Sequence, residues 1–488
     1  MGIFAVYDTI GIQNYIFSSN KLAENVGASK LAADVFGRGG ILEEVIAGFL
    51  KVKTDKLPDW RNESKLNPQL KAEIIYQGGG NAFVAFLEES YFQEVTKAFL
   101  IKTAKCVPGI GIAVAAVETN FLDTYQEDYK NLKMRLSACK GCFNMPPMVL
   151  GVPITKQSVR TGLPVDFYEK YDKKYEYLNI SQVKKRERYI KYRNKNENLK
   201  NFDDLAFKKG EDSFIAIIHA DGNSMGRRIG KHMQNHKSYS DAVPAIRKLA
   251  GEIEKCYKKV LEDTIKEFGT EYKNYMDEEK IPIIKLIDDG DDITIIIGAG
   301  FAIDFAVRLL RKIEEASSPF GDNDKLTACA GVVLFHSHYP FSKAYKLVEG
   351  LCKNAKEPSR NEEGSYIDFH LHSSGNVAEI DILRKKQYIV NGKSIIFRPW
   401  KISDFSWFEE SMIKISKIPR TKTKSIRNAI GLSDENARLA ENRLRREYTL
   451  SPEISKEGLS DYAAWFDLLE FQDAYVNLLN KNEVKHGD

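Results

Sequence analysis

The sequence has few of the features of a secreted, membrane-spanning or strongly basic protein. Six of its 488 residues are cysteine, a usage typical of a reducing, cytoplasmic compartment. No apolar run reaches the ~18–20 residues of a membrane helix, and no basic segment of a signal peptide opens the chain. Lys and Arg number 72 against 68 Asp and Glu, too even a balance to indicate nucleic-acid binding by charge alone. At ~150 residues per domain, we expect about three domains in a soluble cytoplasmic protein without a membrane partner.

The first 137 residues contain the pattern of a ferredoxin-like domain. A buried strand ends at Asp8, and a glycine-rich turn from Gly78 to Asn81 joins two later strands. The order β-α-β-β-α-β is that of a ferredoxin-like fold, with the central hairpin beside the first strand. The apolar periodicity predicts strands at 3–8, 74–76, up to 86 and 110–117, and helices around 29–50, 90–104 and 119–137.

The same pattern returns after residue 212, with an apolar strand that ends at Asp221. Asp8 precedes Gly80 by 72 positions, and Asp221 precedes Asp291 by 70. Such matching spacing indicates an internal duplication, and chance similarity of two common folding units is the alternative. The second repeat is predicted to contain strands at 213–220, 283–287, 293–297 and 326–334, and helices up to about 268 and around 301–317 and 341–355.

Four aspartates occupy the five-residue turn Asp288-Asp289-Gly290-Asp291-Asp292. The turn joins two predicted buried strands, and Asp221 ends a third, so we expect these carboxylates at one end of a core sheet. Packed without a cation they would repel one another, and magnesium or manganese prefers such oxygen ligands. We therefore expect Asp221 and Asp291 to ligate magnesium jointly in a catalytic site. An acidic, solvated hairpin is the alternative.

Two turns are candidates for nucleotide binding. Gly222-Asn223-Ser224-Met225-Gly226 forms a strand-to-helix turn, where backbone N–H groups can hold phosphates. In the first repeat, Gly78-Gly79-Gly80-Asn81 lets a ligand approach the backbone closely, and a plain tight hairpin is the alternative. Asp8 has no second acid opposite it, so we expect nucleotide binding there to depend little on magnesium. Lys356 is a candidate triphosphate contact, or else a solvated lysine at a helix end.

Residues 138–212 differ in composition from the repeats on either side. Cys139 and Cys142 have the spacing of two zinc ligands, but a structural zinc site needs four. The other cysteines are scattered, so we do not expect zinc. The segment 168–200 interleaves Lys and Arg with tyrosines, which suits single-stranded nucleic acid, and a solvated amphipathic helix is the alternative.

Several motifs in this order resemble the large polymerase/cyclase subunit of type III CRISPR effector complexes. Residues 7–17 and 78–81 resemble its first palm domain. The run 220–226, the turn 289–292 and the segment 331–356 resemble its second, catalytic palm domain. The resemblance covers roughly residues 1–400, and it implies palm folds like those of GGDEF and adenylyl cyclase domains.

The resemblance also implies that ATP is converted into a cyclic oligoadenylate second messenger in antiviral defence. It assigns Asp221, Asp291 and Asp292 to magnesium, and the turn 222–226 with Lys356 to the triphosphate. The first palm domain would hold a second ATP as acceptor.

Three departures from the family pattern stand out. Asp289 replaces a usual glycine of the catalytic turn, and we expect a shortened form without an HD nuclease domain before the first palm. The zinc module is reduced to Cys139 and Cys142, with Ser158 where a further cysteine is expected.

The expected fold class is α+β. It comprises a degenerate ferredoxin-like palm domain at 1–137, a basic linker module at 138–212, a catalytic palm domain at 213–400 and a helical domain at 401–488. The predicted function is a magnesium-dependent nucleotidyltransferase that uses ATP, with RNA and CRISPR effector subunits as partners in a complex. The alternatives are a non-catalytic nucleic-acid-binding scaffold of such a complex and a standalone cyclase that makes a cyclic dinucleotide. The sequence leaves the oligomeric state open.

Overall fold

The structure of the chain is a computed structural model. It describes residues 1–62, 64–142, 154–158, 161–171, 174–196, 205, 213–276, 283–321, 324–373, 378–416, 418–447, 462–472 and 474. The chain forms two compact units, which consist of residues 1–201 with 224–256 and of residues 202–223 with 257–488. They are called the first and the second unit below.

The strands and helices follow one another in the order of a mixed α and β protein. They are β1 (Gly2–Ile10), α1 (Ile12–Ile16), α2 (Leu22–Phe36), α3 (Ile41–Leu50), β2 (Ala72–Gly78), β3 (Asn81–Phe86), α4 (Glu89–Cys106), β4 (Gly111–Thr119), α5 (Tyr125–Cys142), β5 (Phe167–Tyr171), β6 (Lys174–Leu178), α6 (Ile180–Asn196), β7 (Phe214–Gly222), α7 (Met225–Met233), α8 (Tyr239–Met276), β8 (Ile284–Asp289), β9 (Asp292–Gly298), α9 (Ala302–Glu315), β10 (Ala328–His336), α10 (Phe341–Ser359), β11 (Tyr366–His372), α11 (Ile380–Gln387), β12 (Ile389–Val390), β13 (Lys393–Ser394), β14 (Trp400–Lys401), α12 (Phe405–Ser416), α13 (Arg420–Ile430), α14 (Asp434–Glu447) and α15 (Tyr462–Phe471). The predicted α+β class is confirmed. None of the described helices is both long and apolar enough to cross a membrane.

The first unit is built on an antiparallel sheet with the strand order β2-β3-β1-β4. Phe4 of β1 belongs to a buried cluster that includes Leu132 of α5 and Tyr239 of α8. Tyr7 of the same strand is buried against Phe99 of α4, with ring centroids 5.3 Å apart. Because helices supply buried partners for residues along the whole strand, β1 reads as a nearly continuous apolar run.

The second unit is built on a six-stranded sheet with the order β14-β11-β10-β7-β9-β8. Only β10 and β11 pair in parallel, and the other neighbours are antiparallel. Helix α10 lies very close to β10 at Gly331. A Cβ atom there would be only 2.4 Å from the carbonyl oxygen of Val348. This close packing fixes the position of the C-terminal part of α10, which carries Lys356.

Both sheets contain the same four-strand core. The order β2-β3-β1-β4 recurs as β8-β9-β7-β10, with the hairpin on one side of the central strand and the last strand on the other. The register agrees as well, since Asp8 faces Asn81 in the first unit and Asp221 faces Asp292 in the second. Equal order and register are what an internal duplication predicts.

The predicted helix at 29–50 is wrong as a single element. The structure has α2 and α3 instead, separated by a segment in which Gly39 has a φ of 68°. Glycine populates this conformation readily and weakens a helix interior, so the glycine-rich stretch 37–40 interrupts the helix.

The chain after residue 400 is helical in its described part, as predicted, and these helices fall in the second unit. Arg398 and Asp467 of α15 are both fully buried, with Nη1 and Oδ1 3.2 Å apart. The indole Nε1 of Trp400 donates to Asp467 Oδ2 at 2.9 Å. Buried charges require such partners, so this network joins α15 to the rest of the unit. The four-domain division of the sequence stays a prediction.

Candidate active site

The acidic cluster of the second unit lies at one edge of its sheet. Asp221 of β7 faces Asp292, the first residue of β9, and Asp292 faces Asp289 of β8. Gly290 has a φ of 62° in the turn between β8 and β9. Directly opposed residues of antiparallel strands have Cβ atoms only ~4.5–5.5 Å apart, so this register forces the carboxylates of Asp221 and Asp292 close together.

Asp291 approaches the same edge from the turn, and Gly222 leaves the space for it. A Cβ atom at Gly222 would lie 2.9 Å from Oδ2 of Asp291 and 2.9 Å from the hydroxyl of Tyr257. A larger residue at position 222 would therefore displace the Asp291 carboxylate. Glycine is therefore needed at this position to leave room for the Asp291 side chain, in addition to any contact with phosphate.

Lys356 is the basic residue of the cluster. Its Nζ donates a hydrogen bond to Oδ2 of Asp221. Burial lowers the pKa of Lys356, but the charge of Asp221 and the hydrogen bond to it outweigh burial, so the pKa is raised overall and the ammonium stays charged at neutral pH. Lys356 is therefore bound to the Asp221 carboxylate and is not simply a solvated lysine at a helix end.

Burial and mutual repulsion raise the pKa values of two aspartates. Burial raises the pKa of Asp291 to about 6, and the negative charge of Asp221 adds to this effect. Burial likewise raises the pKa of Asp292 to about 8, with further contributions from Asp221, Asp291 and Asp289. Lys356 acts in the opposite direction on both groups. Lys356 compensates only part of the repulsion at Asp291 and Asp292, so these carboxylates favour an added proton or cation.

His219 belongs to this site, although the sequence did not single it out. Its Nδ1 lies 3.0 Å from Oγ1 of Thr294 and 3.4 Å from Oδ1 of Asp292. Burial lowers the pKa of His219 to about 4, so the imidazole is neutral at pH 7. The only sign of His219 in the sequence is a histidine within the apolar run of β7. A histidine that is simply buried in the core gives the same pattern.

The turn after Asp221 is divided between the two units. The Asn223 side chain donates from Nδ2 to Thr327 Oγ1 at 3.1 Å and to the carbonyl oxygen of Gly364 at 3.2 Å. Ser224 has a φ of 56° and falls in the first unit, as does Gly226. The second unit therefore brings Gly222 and Asn223 to the acidic cluster and Lys356, whereas Ser224 and Gly226 belong to the first unit.

The donor atoms of the acidic cluster fit a divalent cation. Carboxylate oxygens are the ligands that magnesium prefers, and Oδ1 of Asp292 is buried with no hydrogen-bond partner among the described residues. As the side chains lie, with Lys356 on Asp221, no group of three or more acidic, histidine or cysteine side chains in the described part of the chain is arranged to hold a metal ion. A cation at Asp221 would therefore compete with the Lys356 ammonium.

The glycine turn of the first unit has a related geometry. Gly78, Gly79 and Gly80 have φ values of 154°, 60° and 77°, and a Cβ atom at Gly80 would lie 2.7 Å from Thr9 Oγ1. Asn81 faces Asp8 across β1 and β3, where the second unit has an aspartate pair. Asp8 has a basic partner that the sequence did not reveal, because Nζ of Lys140 lies 2.7 Å from its Oδ1.

The CxxC motif lies at the end of α5. Cys139 is half-buried and Cys142 is exposed, and both are free cysteines within the described residues. The following residues 143–153 lie outside the described residues, so the expectation about zinc stays a prediction.

The tyrosine-rich segment forms the β5–β6 hairpin and helix α6 within its described residues. Tyr168, Tyr175 and Tyr177 are exposed on one face of the hairpin. The ring centroid of Tyr168 is 5.0 Å from that of Tyr175 and 4.6 Å from that of Tyr177. The remaining residues 172, 173 and 197–200 of this segment lie outside the described residues.

Comparisons with known proteins match residues 214–363 to a palm domain and nearly the whole chain to a known fold. Residues 214–363 match the family model described as Cas10/Cmr2, second palm domain. No curated protein matches the sequence.

Three solved structures illustrate the similarity of fold. The Csm1–Csm4 cassette in complex with cA4 is 14% identical, with a TM-score of 0.58 over 97% of this chain and 69% of that chain. The cassette in complex with pppApA is 14% identical, with a TM-score of 0.56 over 98% of this chain and 69% of that chain. Csm1 from T. onnurineus is 14% identical, with a TM-score of 0.52 over 96% of this chain and 69% of that chain. Two palm domains with a helical C-terminal part, as predicted, are confirmed at the level of fold.

Proposed function

We propose that the chain, whose residues 214–363 match the Cas10/Cmr2 second palm domain, is a magnesium- or manganese-dependent nucleotidyltransferase of that family. Its substrate is ATP, and its product is a cyclic oligoadenylate that acts as a second messenger in antiviral defence. The observation that supports this proposal is the convergence of Asp221, Asp291 and Asp292 at one edge of the sheet, with Lys356 on Asp221. Clustered carboxylates beside a lysine suit a triphosphate that arrives with its cation.

The side chains have different roles in the proposed reaction. Asp221, Asp291 and Asp292 would hold the divalent cation, which when bound activates the attacking hydroxyl and neutralises the departing pyrophosphate. Lys356, displaced from Asp221, would contact the triphosphate. His219 stays neutral beside Asp292 and adds no charge of its own.

The proposal includes a second nucleotide and an effector complex. A second ATP would bind the first unit at residues 78–81 and supply the attacking hydroxyl. The similar structures carry the names Csm1–Csm4, cA4 and pppApA, and they support a role for this chain as a cytoplasmic subunit of a type III CRISPR complex with a Csm4-like partner. The similarity extends over nearly the whole chain, which favours the complete palm architecture over an isolated domain.

Product analysis tests the proposal. The purified chain, alone and with its effector partners and target RNA, is incubated with each of the four NTPs and magnesium or manganese, and the products are identified by mass spectrometry. We expect cyclic oligoadenylates from ATP and none after EDTA treatment. A cyclic dinucleotide as the sole product would favour the standalone cyclase, and no product under any of these conditions would contradict the proposal.

A nucleic-acid-binding scaffold is the second candidate, and the exposed tyrosines of the β5–β6 hairpin favour it. Aromatic side chains stack on unpaired bases without sequence preference. Nζ of Lys156 lies 3.4 Å from the ring centroid of Tyr177 and adds positive charge there. Single-stranded RNA should then bind more weakly to a Tyr168→Ala, Tyr175→Ala double variant, and unchanged binding would remove the support for this candidate.

A further inference from the structure

Lys140 lies in the first unit at the position that Lys356 has in the second unit. Lys140 is the sixteenth residue of α5, and Lys356 is the sixteenth residue of α10. Each of these helices follows the last strand of the shared four-strand core, β4 or β10. Each lysine contacts the aspartate of the central strand, Asp8 or Asp221. The two units therefore have an aspartate–lysine pair at corresponding positions.

The two sites differ in their balance of charge. In the second unit Lys356 contacts Asp221, and the carboxylates of Asp291 and Asp292 lie at the same edge of the sheet. In the first unit Asn81 occupies the register position of Asp292, so Lys140 and Asp8 form a balanced pair. The Asp8–Lys140 pair itself therefore carries no net negative charge for a cation to compensate.

We propose that Lys140 contacts the phosphates of a nucleoside triphosphate at a metal-independent site in the first unit. An ammonium group has three N–H donors, and the contact with Asp8 needs one of them. The Lys140 side chain is 40% exposed and that of Asp8 is 17% exposed, so an anionic ligand can reach the ammonium. The proposal deepens the function proposed above and rests on it, because it explains how one of two nucleotides binds without magnesium.

A second observation at this site also indicates a ligand. Oδ1 of Asn81 is buried without a hydrogen-bond partner among the described residues, beside a turn in which three consecutive glycines have positive φ. A buried acceptor without a donor is unfavourable, and a donor group of the nucleotide would satisfy it. Lys140, which contacts Asp8, and Asn81, which faces Asp8 across the strands, would thus supply one group for the phosphates and one for a neutral part of the ligand.

The test is calorimetric titration of the full chain with a non-hydrolysable ATP analogue in EDTA. We expect one binding site in the wild type. Lys140→Met should lower the affinity roughly 10- to 100-fold, because the loss of one charge-assisted hydrogen bond weakens binding by about this factor. Lys140→Arg keeps the charge and should bind within about threefold of the wild type. Lys130→Met, which removes an exposed lysine of the same helix, is the matched control and should bind like the wild type.

Asp8→Asn separates ligand binding from a purely structural role of the pair. Release of Lys140 from Asp8 should strengthen binding in EDTA, whereas a structural ion pair would make Asp8→Asn and Lys140→Met weaken it alike. Wild-type affinity of Lys140→Met in EDTA, or weaker binding by Asp8→Asn, would overturn the proposal. The magnesium-dependent site, titrated in parallel, reports on the proposed function alone, because Lys140→Met should leave it unchanged.

Discussion

Asn81 occupies in β3 the register position that Asp292 occupies in β9, and each faces the aspartate of its central strand. The first unit also has Gly78 and Gly80 where the second unit has Asp289 and Asp291. These differences together separate a site with one carboxylate from a site with clustered carboxylates. Because clustered carboxylates repel one another unless a cation is present, we expect the two sites to differ in their dependence on metal.

Asn81→Asp should make nucleotide binding in the first unit depend on magnesium. The added carboxylate would face Asp8, repel the phosphates in EDTA and attract a divalent cation when one is supplied. Calorimetry in an Asp291→Asn background isolates the first site, and we expect weaker binding than the parent in EDTA with recovery in magnesium. Asn120→Asp, an exposed position of the same unit, is the control, and equal behaviour of the two variants would contradict the prediction.

The contribution of Asp291 and Asp292 to the stability of the metal-free protein should decline as the pH rises. Burial and neighbouring carboxylates raise the pKa of Asp291 to about 6 and that of Asp292 to about 8, from 3.8 in a model peptide. Between about pH 4 and pH 8 these two groups therefore hold more protons in the folded than in the unfolded state, and their contribution to the free energy of unfolding falls with pH. In EDTA, the Tm of Asp292→Asn relative to the wild type should rise across this range. A constant Tm difference in thermal melts would contradict this.

Gly222→Ala should inactivate the site without unfolding the second unit. The new Cβ atom would lie 2.9 Å from Oδ2 of Asp291, so this carboxylate must move. If the Asp291 carboxylate no longer binds the cation, ATP turnover should fall by roughly two orders of magnitude, because a bound metal stabilises the charge of the transition state by several kcal/mol. Gly230→Ala, which meets open space within the described structure, is the control. Wild-type turnover of Gly222→Ala would show that this close approach is unimportant.

Gly27→Ala should weaken the packing of α6 on α2 in the first unit. A Cβ atom at Gly27 would be 1.7 Å from the carbonyl oxygen of Lys185, next to the buried ion pair of Glu24 and Arg186. Overpacking of this kind costs about 1–3 kcal/mol or more, measurable by urea denaturation. Gly48→Ala, with open space among the described residues, should change stability by less than about 1 kcal/mol. Equal effects of both variants would argue against tight packing of α2 and α6.

The candidate site could be predicted from the sequence where its signals are local. Asp221 at a strand end and Asp291 beside a glycine turn are recognisable, because apolar runs on either side mark the strands. The contacts of Lys356 with Asp221 and of Lys140 with Asp8 join residues more than 130 positions apart. These contacts depend on how α10 and α5 pack on their sheets, which no local pattern contains.

Strand β11 was missed because its buried residues are partly polar. Asp368 and His370 are both almost fully buried, and the guanidinium of Arg384 compensates Asp368 at 2.6 and 2.8 Å. An alternation of apolar and polar residues usually indicates one exposed face. Here both faces are covered, so the polar residues concealed a strand that lies beside β10 in the sheet.

Turnover of ATP by single aspartate variants tests the catalytic role of the acidic cluster most directly. Asp291→Asn and Asp292→Asn each remove one negative charge from the site. Asp288→Asn is the control, because it removes one charge from the same turn at a residue that pairs instead with Lys285, at 3.4 Å. With cyclic product measured by mass spectrometry under identical conditions, we expect the first two variants to lose at least roughly two orders of magnitude of activity and Asp288→Asn to keep it. Product formation by folded Asp291→Asn and Asp292→Asn at the wild-type rate would contradict the assignment of this cluster as the active site.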